Sequence, residues 1–172
     1  NAGELLLVLY GDAPLLRMET LQRLIETHAA SKAAATVLTC NLADPARYGR
    51  IVRGPKGNIA AIVEFKAATP EQLAIREINS GICCFRTDLL WNNLAAIEPN
   101  PASGEYYLTD LFEVLTTQGH TVAPMLLEDE NELLGINTKA ELAVADRVLR
   151  ERKAPIDFLA GATTEKPETV TI

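Results

Sequence analysis

"LLLVLYGDAP", residues 5–14, decides the fold. Apolar side chains run without a break from Leu5 and end in Tyr10, Gly11 and Asp12. A run of that length without alternation predicts a strand buried on both faces, the strand type of parallel sheets. Pro14 closes it. Outward from there, "RMETLQRLIETHAA" (17–30) puts Leu21, Leu24 and Ile25 at helical spacing, and "AATVLTCNL" (34–42) reads as a second strand. Strand, helix and strand in that order form a βαβ unit, which predicts a parallel sheet. In open α/β sheets ligands gather beyond the carboxyl ends of strands, and Asp12 stands there.

The rest of the chain continues the pattern. "RIVRGPKGNIAAIVEF" (50–65) reads as a hairpin around Gly54–Asn58, and "KAATPEQLAI" (66–75) as a short surface helix or turn. "EINSGICCF" (77–85) and "TVAPMLLE" (121–128) are strands. "LTDLFEVLTTQGH" (108–120) is a helix that Thr109 or Ser103 could cap, and "NTKAELAVADRVLRERK" (137–153) a long helix with Asn137 or Thr138 at its N-cap. The expected class is α/β, a mostly parallel sheet with an inserted hairpin.

A net charge of −7 over 172 residues, with no block of Lys or Arg, argues against nucleic acid and anionic membranes as partners. No apolar run approaches the ~20 residues of a membrane span, and no signal peptide is visible. Cys40, Cys83 and Cys84 make a poor disulfide framework and fit a reducing cytoplasm. Cys83 and Cys84 read as small buried residues of a strand. His28 and His120 are expected on the surface. No Ser-His-Asp or Cys-His arrangement suggests covalent catalysis.

Several residues could carry chemistry, and each has a plainer explanation. Asp12 could hold a hard cation such as Mg²⁺, or merely start a turn; Gly11 would let a ligand approach the backbone. Gly49, in "ARYGRI", could present its backbone to a ligand or be a turn glycine. Glu64 ends an apolar strand, where a carboxylate is awkward unless used for hydroxyls or paired at an edge with Lys66. Asn79 could read a hydroxyl or acetamido group, or start a strand. Tyr106, Tyr107 and Thr109 precede a helix whose N-terminus could attract phosphate. Alternatively, they cap that helix and pack on the core. Asn137 follows an apolar stretch ending in Gly135, as Asp12 follows Gly11, and could be a simple N-cap.

"YGDAPLL…ETLQRL", "DPARYGRIVR", "IVEFKAAT", "EINSGI", "GEYYLTDL" and "GINTKAEL", in this order and spacing, resemble the uridylyltransferase (pyrophosphorylase) domain of the bacterial bifunctional N-acetylglucosamine-1-phosphate uridylyltransferase/glucosamine-1-phosphate acetyltransferase family. The resemblance covers nearly the whole chain. It implies a Rossmann-like nucleotide-diphospho-sugar transferase sheet, and a reaction in which UTP and N-acetylglucosamine 1-phosphate give UDP-N-acetylglucosamine and pyrophosphate. It implies Mg²⁺ held by Asp12 and Asn137, Tyr10 and Gly11 bordering nucleotide and sugar, and Gly49, Glu64 and Asn79 on the N-acetylglucosamine moiety. Tyr107 and Thr109 would lie near the sugar or its phosphate.

The same resemblance implies parts that these residues do not contain: a G-x-G-T-R-M-type triphosphate loop with the first strands, and a left-handed β-helix acetyltransferase domain, through which members form homotrimers. Residues 1–152 would then be a partial uridylyltransferase domain, with 153–172 a linker, and the chain alone is expected not to turn over UTP. Phe65 and Ala67 stand where relatives often carry a polar residue and an Asp. Two other readings remain open: a related pyrophosphorylase acting on glucose 1-phosphate, and a non-catalytic sugar-phosphate-binding domain.

Overall fold

The computed structural model describes residues 4–101 and 104–159, with side chains up to residue 153. The described residues fall into two compact units, one within residues 4–10 and 18–130, the other within 11–17 and 131–159.

The first unit is a single sheet with helices. Its strands are β1 (Leu5–Val8), β2 (Ala35–Asn41), β3 (Arg50–Arg53), β4 (Ile59–Val63), β5 (Glu77–Arg86) and β6 (Val122–Leu127). Its helices are α1 (Met18–Ser31), α2 (Pro70–Leu73), α3 (Thr87–Asn93) and α4 (Asp110–Thr117). The strand order is β4-β3-β5-β2-β6, with β1 also on β5.

The sheet is mostly antiparallel, which corrects the parallel expectation. Among the described residues β2 with β6 is the parallel pair, while β1–β5, β2–β5, β3–β4 and β3–β5 are antiparallel. The βαβ unit is present, but β5 pairs with both of its strands and runs opposite to both. A βαβ reading fixes the direction of two strands, not their adjacency. β1 is also not the doubly buried strand its composition predicts: Leu5 is exposed and Leu6, Leu7 and Val8 are half-buried. That role falls to β2, six of whose seven residues are buried between β5 and β6.

The core forms where β2, β5 and β6 meet α3 and α4. Val37, Phe85, Leu111, Leu115 and Val122 are each fully buried, and the Phe85 and Phe112 rings stack 5.2 Å apart. Cys40, Cys83 and Cys84 are buried free thiols, as their apolar setting predicts. Burial pushes Cys83 up to about 12 and Cys84 up to about 11. His28 is not a surface residue: it is 5% exposed, with Nδ1 2.9 Å from the Thr36 hydroxyl. Helical spacing places it on the face of Leu24, which packs inward.

The short α2 carries a full capping box between Thr69 and Gln72. In β5, the register against β2 shifts between Val37–Cys83 and Thr39–Asn79, so Ser80, Gly81 and Ile82 bulge. Gly81 takes φ +79, a backbone region that glycine reaches without strain. The Ser80 hydroxyl fills the gap in the ladder, donating to Leu38 O at 2.6 Å and accepting from Ile82 N at 3.1 Å.

The second unit consists of the segment around Asp12, the segment around Gly135, and α5 (Lys139–Leu159). Arg17 N donates to the buried Glu132 carboxylate at 3.0 Å. Helix α5 runs through Pro155, beyond the expected boundary at residue 153; a proline costs a helix one hydrogen bond there but does not end it. The remaining expected linker, 160–172, and the candidate cap Ser103 lie outside the described residues. No helix among the described residues is long and apolar enough to cross a membrane.

Candidate active site

Register builds the first cluster. Arg50 faces Val63 on β4 and Ile78 on β5. One residue further, Gly49 therefore faces Glu64 on one side and Asn79 on the other. Two facts fit that rung: Asn79 N donates to Gly49 O at 2.9 Å, and a Cβ on Gly49 would lie 3.4 and 3.5 Å from the Glu64 carboxylate oxygens. Gly49 is thus a bare position between two polar side chains. With strands ~4.8 Å apart, Glu64 and Asn79 sit about 10 Å from each other across it.

Each side chain is held. Glu64 Oε1 accepts from the Thr109 hydroxyl at 3.0 Å, and no ion pair with Lys66 forms. The Thr109 hydroxyl serves that bond instead of capping α4, although Thr109 is the N-cap residue. Asn79 is 9% exposed, and its Oδ1 accepts from Gly81 N at 2.9 Å. That bond orients the amide and leaves its NH₂ as the group on offer. The rung therefore presents an acceptor-only carboxylate opposite an amide donor.

Tyr10 joins this cluster through Gly81. A Cβ on Gly81 would fall 1.9 Å from Tyr10 Cε2, so the exposed ring lies directly on the glycine. The Tyr107 hydroxyl does not join it and donates to Glu105 Oε2 at 2.9 Å. The N-terminus of α4 is not open to a phosphate either. The amides of Asp110, Leu111 and Phe112 bond to the carbonyls of Tyr107, Leu108 and Thr109. Asp110 and Glu113 add negative charge to that turn. Burial and the nearby Glu113 raise the Asp110 pKa.

The second unit holds the other candidates. Ile136 N donates to Asp12 O at 2.9 Å, clipping the two segments together. A Cβ on Gly135 would lie 3.6 Å from Asn137 Nδ2 and 3.7 Å from Asp12 Oδ2, so the two side chains flank that glycine. Asn137 is not the helix cap. Thr138 is: its Oγ1 accepts from Glu141 N at 3.2 Å, and Glu141 Oε2 accepts from Thr138 N at 2.7 Å and Asn137 N at 2.8 Å. The backbone amides hold Glu141 below the usual carboxylate range. The exposed Asn137 side chain is thereby spared, as is exposed Asp12. A half-turn of the amide presents its oxygen beside the carboxylate. One carboxylate and one neutral oxygen on an open surface are hard donors that leave most coordination positions to water or phosphate, which suits Mg²⁺. Gly11 would meet nothing within 4 Å if it carried a Cβ.

Sequence reading passed over Gly81, Ser80 and Gly135 as functional positions. The glycine inside an apolar strand pattern was their available signal, since it marks a bulge or a close approach.

Comparison with known proteins places the chain in a family. The bifunctional GlmU protein of Solibacter usitatus is 51% identical over 167 residues, covering 97% of this chain and 36% of the relative. That of Heliobacterium modesticaldum is 46% identical, with the same coverage. The chain thus spans about a third of the length of these relatives. Among solved structures, a CMP:2-keto-3-deoxy-manno-octonic acid synthetase complexed with CTP superposes with a TM-score of 0.62 at 15% identity, covering 86% of this chain and 62% of that one. A Bacillus anthracis protein assigned as a glucose-1-phosphate thymidylyltransferase gives 0.59 at 18%, covering 96% and 58%. At those identities the likeness is one of fold, and it bears out the Rossmann-like α/β sheet. The nucleotidyl transferase family model matches residues 1–138, and the chain belongs to that family.

Proposed function

We propose that the chain carries the sugar-binding and metal-binding residues of a uridylyltransferase that makes UDP-N-acetylglucosamine and pyrophosphate from UTP and N-acetylglucosamine 1-phosphate. The Glu64–Gly49–Asn79 rung carries this reading. Glu64 accepts from sugar hydroxyls, and its position is fixed by Thr109. The Asn79 NH₂, oriented by Gly81, donates to the acetamido carbonyl; a glucose moiety carries a shorter hydroxyl in place of that carbonyl. Gly49 adds no side chain between Glu64 and Asn79. Tyr10 presents an exposed aromatic ring over Gly81, two residues from Asn79, an amphipathic surface suited to a sugar.

The chemistry asks for little more from side chains. An oxygen of the sugar phosphate displaces pyrophosphate from the α-phosphorus of UTP, and such transfers depend on positioning and charge neutralisation. Asp12 and Asn137 would hold Mg²⁺, which when bound neutralises phosphate charge. The bifunctional GlmU proteins to which the chain is similar, with the nucleotidyl transferase family model, support a sugar-nucleotide pyrophosphorylase.

Titration calorimetry of the chain with N-acetylglucosamine 1-phosphate and glucose 1-phosphate tests the proposal. The expected result is at least tenfold preference for the acetylated sugar, abolished in Asn79→Ala. Equal affinity would favour a glucose-1-phosphate enzyme, and no binding of either would remove the proposal.

A further inference from the structure

Arg50 is 3% exposed, and among the described residues no carboxylate pairs with it. Its Nη1 donates to the carbonyls of Pro45 (3.4 Å) and Tyr48, and its Nη2 to that of Ala46 at 3.1 Å. Its Nε is buried without a partner. The guanidinium lies 6.0 Å from the centre of the Phe65 ring. A buried charge without a counter-charge is expensive, so this one calls for a reason. Every bond it makes goes to one loop, 45–48. That loop is otherwise unfavourable: Ala46 sits at φ +43, held by the Asp44 carboxylate accepting from its N–H at 3.0 Å.

The loop leads straight into Gly49. Alternation along β3 and β4 places Arg50 and Phe65 on one face of the sheet, and Gly49 and Glu64 on the other. We propose that Arg50 is a positioning residue for the sugar notch: from the back of the sheet it gathers the three carbonyls and so sets the Gly49 backbone between Glu64 and Asn79. Arg50 is too buried to touch a ligand itself. The ligand named here rests on the proposed function, whereas the clamp rests on the hydrogen bonds alone. A lysine reaches one carbonyl where the planar fork reaches three.

The test uses Arg50→Met and Arg50→Lys in the full 172-residue chain, with two readouts. Residue-resolved hydrogen exchange reports the amides of Tyr48, bonded to Pro45 O, and Asn79, bonded to Gly49 O. Both should exchange at least tenfold faster in Arg50→Met and to an intermediate degree in Arg50→Lys, with the β2–β6 amides unchanged. Calorimetry with N-acetylglucosamine 1-phosphate should show a Kd raised at least tenfold, partly rescued by lysine. Unchanged exchange at Tyr48 and Asn79 overturns the clamp. Equal acceleration in β2–β6 makes Arg50 a general stabiliser and also overturns it. Faster local exchange with unaltered affinity overturns the positioning role. If the unmodified chain binds no sugar phosphate, the proposed function fails, and exchange alone still decides the clamp.

Discussion

Gly49→Ala separates stability from binding at the centre of the rung. The added methyl would meet Ile62 Cγ2 at 3.3 Å and the Glu64 oxygens at 3.4 and 3.5 Å. Those distances are a few tenths of an ångström short of comfortable contact, and the Glu64 carboxylate can yield by that much. Overpacking of this mild kind costs about 1 kcal/mol. Gly49 does not have a left-handed backbone, so alanine adopts its conformation. The loss of unfolded-chain freedom then contributes about 0.4–1 kcal/mol in the opposite direction. The two terms nearly cancel, and thermal unfolding should move by no more than about 4 °C for a chain of this size. Binding should behave differently, because the methyl fills the one bare position between Glu64 and Asn79. A loss of at least tenfold in N-acetylglucosamine 1-phosphate affinity is expected, about 1.4 kcal/mol. Calorimetry beside a melting curve reads both quantities. Undiminished sugar-phosphate affinity in a folded Gly49→Ala chain would refute the notch. Gly81→Ala is the contrast. Its φ of +79 alone costs about 1–2 kcal/mol, and the new Cβ would collide with the Tyr10 ring, so stability and binding should fall together.

Three further outcomes follow from the same structure. Thr138→Ala should lose about 1 kcal/mol through the missing cap, whereas Asn137→Ala should leave the melting temperature unchanged and weaken Mg²⁺ binding, seen by melting and by metal titration. His28 should make the fold acid-sensitive. Burial and then Arg86 lower its folded pKa below the unfolded 6.5, so its stabilising effect is complete above 6.5 and fades as pH falls through the folded value; His28→Gln should flatten that part of a Tm-against-pH curve. Cys83 and Cys84, with thiols pushed up to about 12 and about 11, should resist alkylation at pH 8 until the chain unfolds, as a thiol-counting assay would show.

Periodicity revealed the elements because it depends on local burial: α1, β2, the β3–β4 hairpin and β6 all lie where apolar spacing puts them. Strand order did not follow from the same signal. "LLLVLY" and "TVLTC" look like neighbouring parallel strands, and nothing local says that a ten-residue strand some forty residues later will pair with both. Candidate site residues were legible by type, since carboxylates and amides at strand ends are conspicuous. Their partners were not. Thr109 has the composition of a helix cap, and Asn137 has it too. Hydrogen-bond geometry assigns the cap at α5 to Thr138 and turns Thr109 toward Glu64. His28 was misplaced because one imidazole in a polar run carries no mark of the helix face it occupies.

Antiparallel pairing is what makes the proposed sugar notch possible. Gly49, Glu64 and Asn79 are fifteen residues apart along the chain, and each stands in a segment whose plain reading is a turn or a strand end. In a parallel arrangement of β3, β4 and β5, the residue before one strand and the residue after the next would sit at opposite ends of the sheet. Reversing direction at Gly54–Asn58 folds the end of β4 back beside the start of β3, and β5 returns along the other side of β3. Three positions then fall on one rung, with the smallest residue in the middle. The bulge at Ser80–Gly81 follows immediately, and through Gly81 N it fixes the Asn79 amide while giving the Tyr10 ring its seat. Moving β3 by one residue against both neighbours would place Arg50, in place of Gly49, between Glu64 and Asn79. An insertion of one residue into the Gly54–Asn58 turn should therefore leave the strands paired where the turn can absorb it and abolish sugar binding where it cannot. Paired hydrogen-exchange and calorimetry measurements on such a variant distinguish the two cases, and sugar binding that persists with a shifted β3–β4 register would show that the rung is not the site.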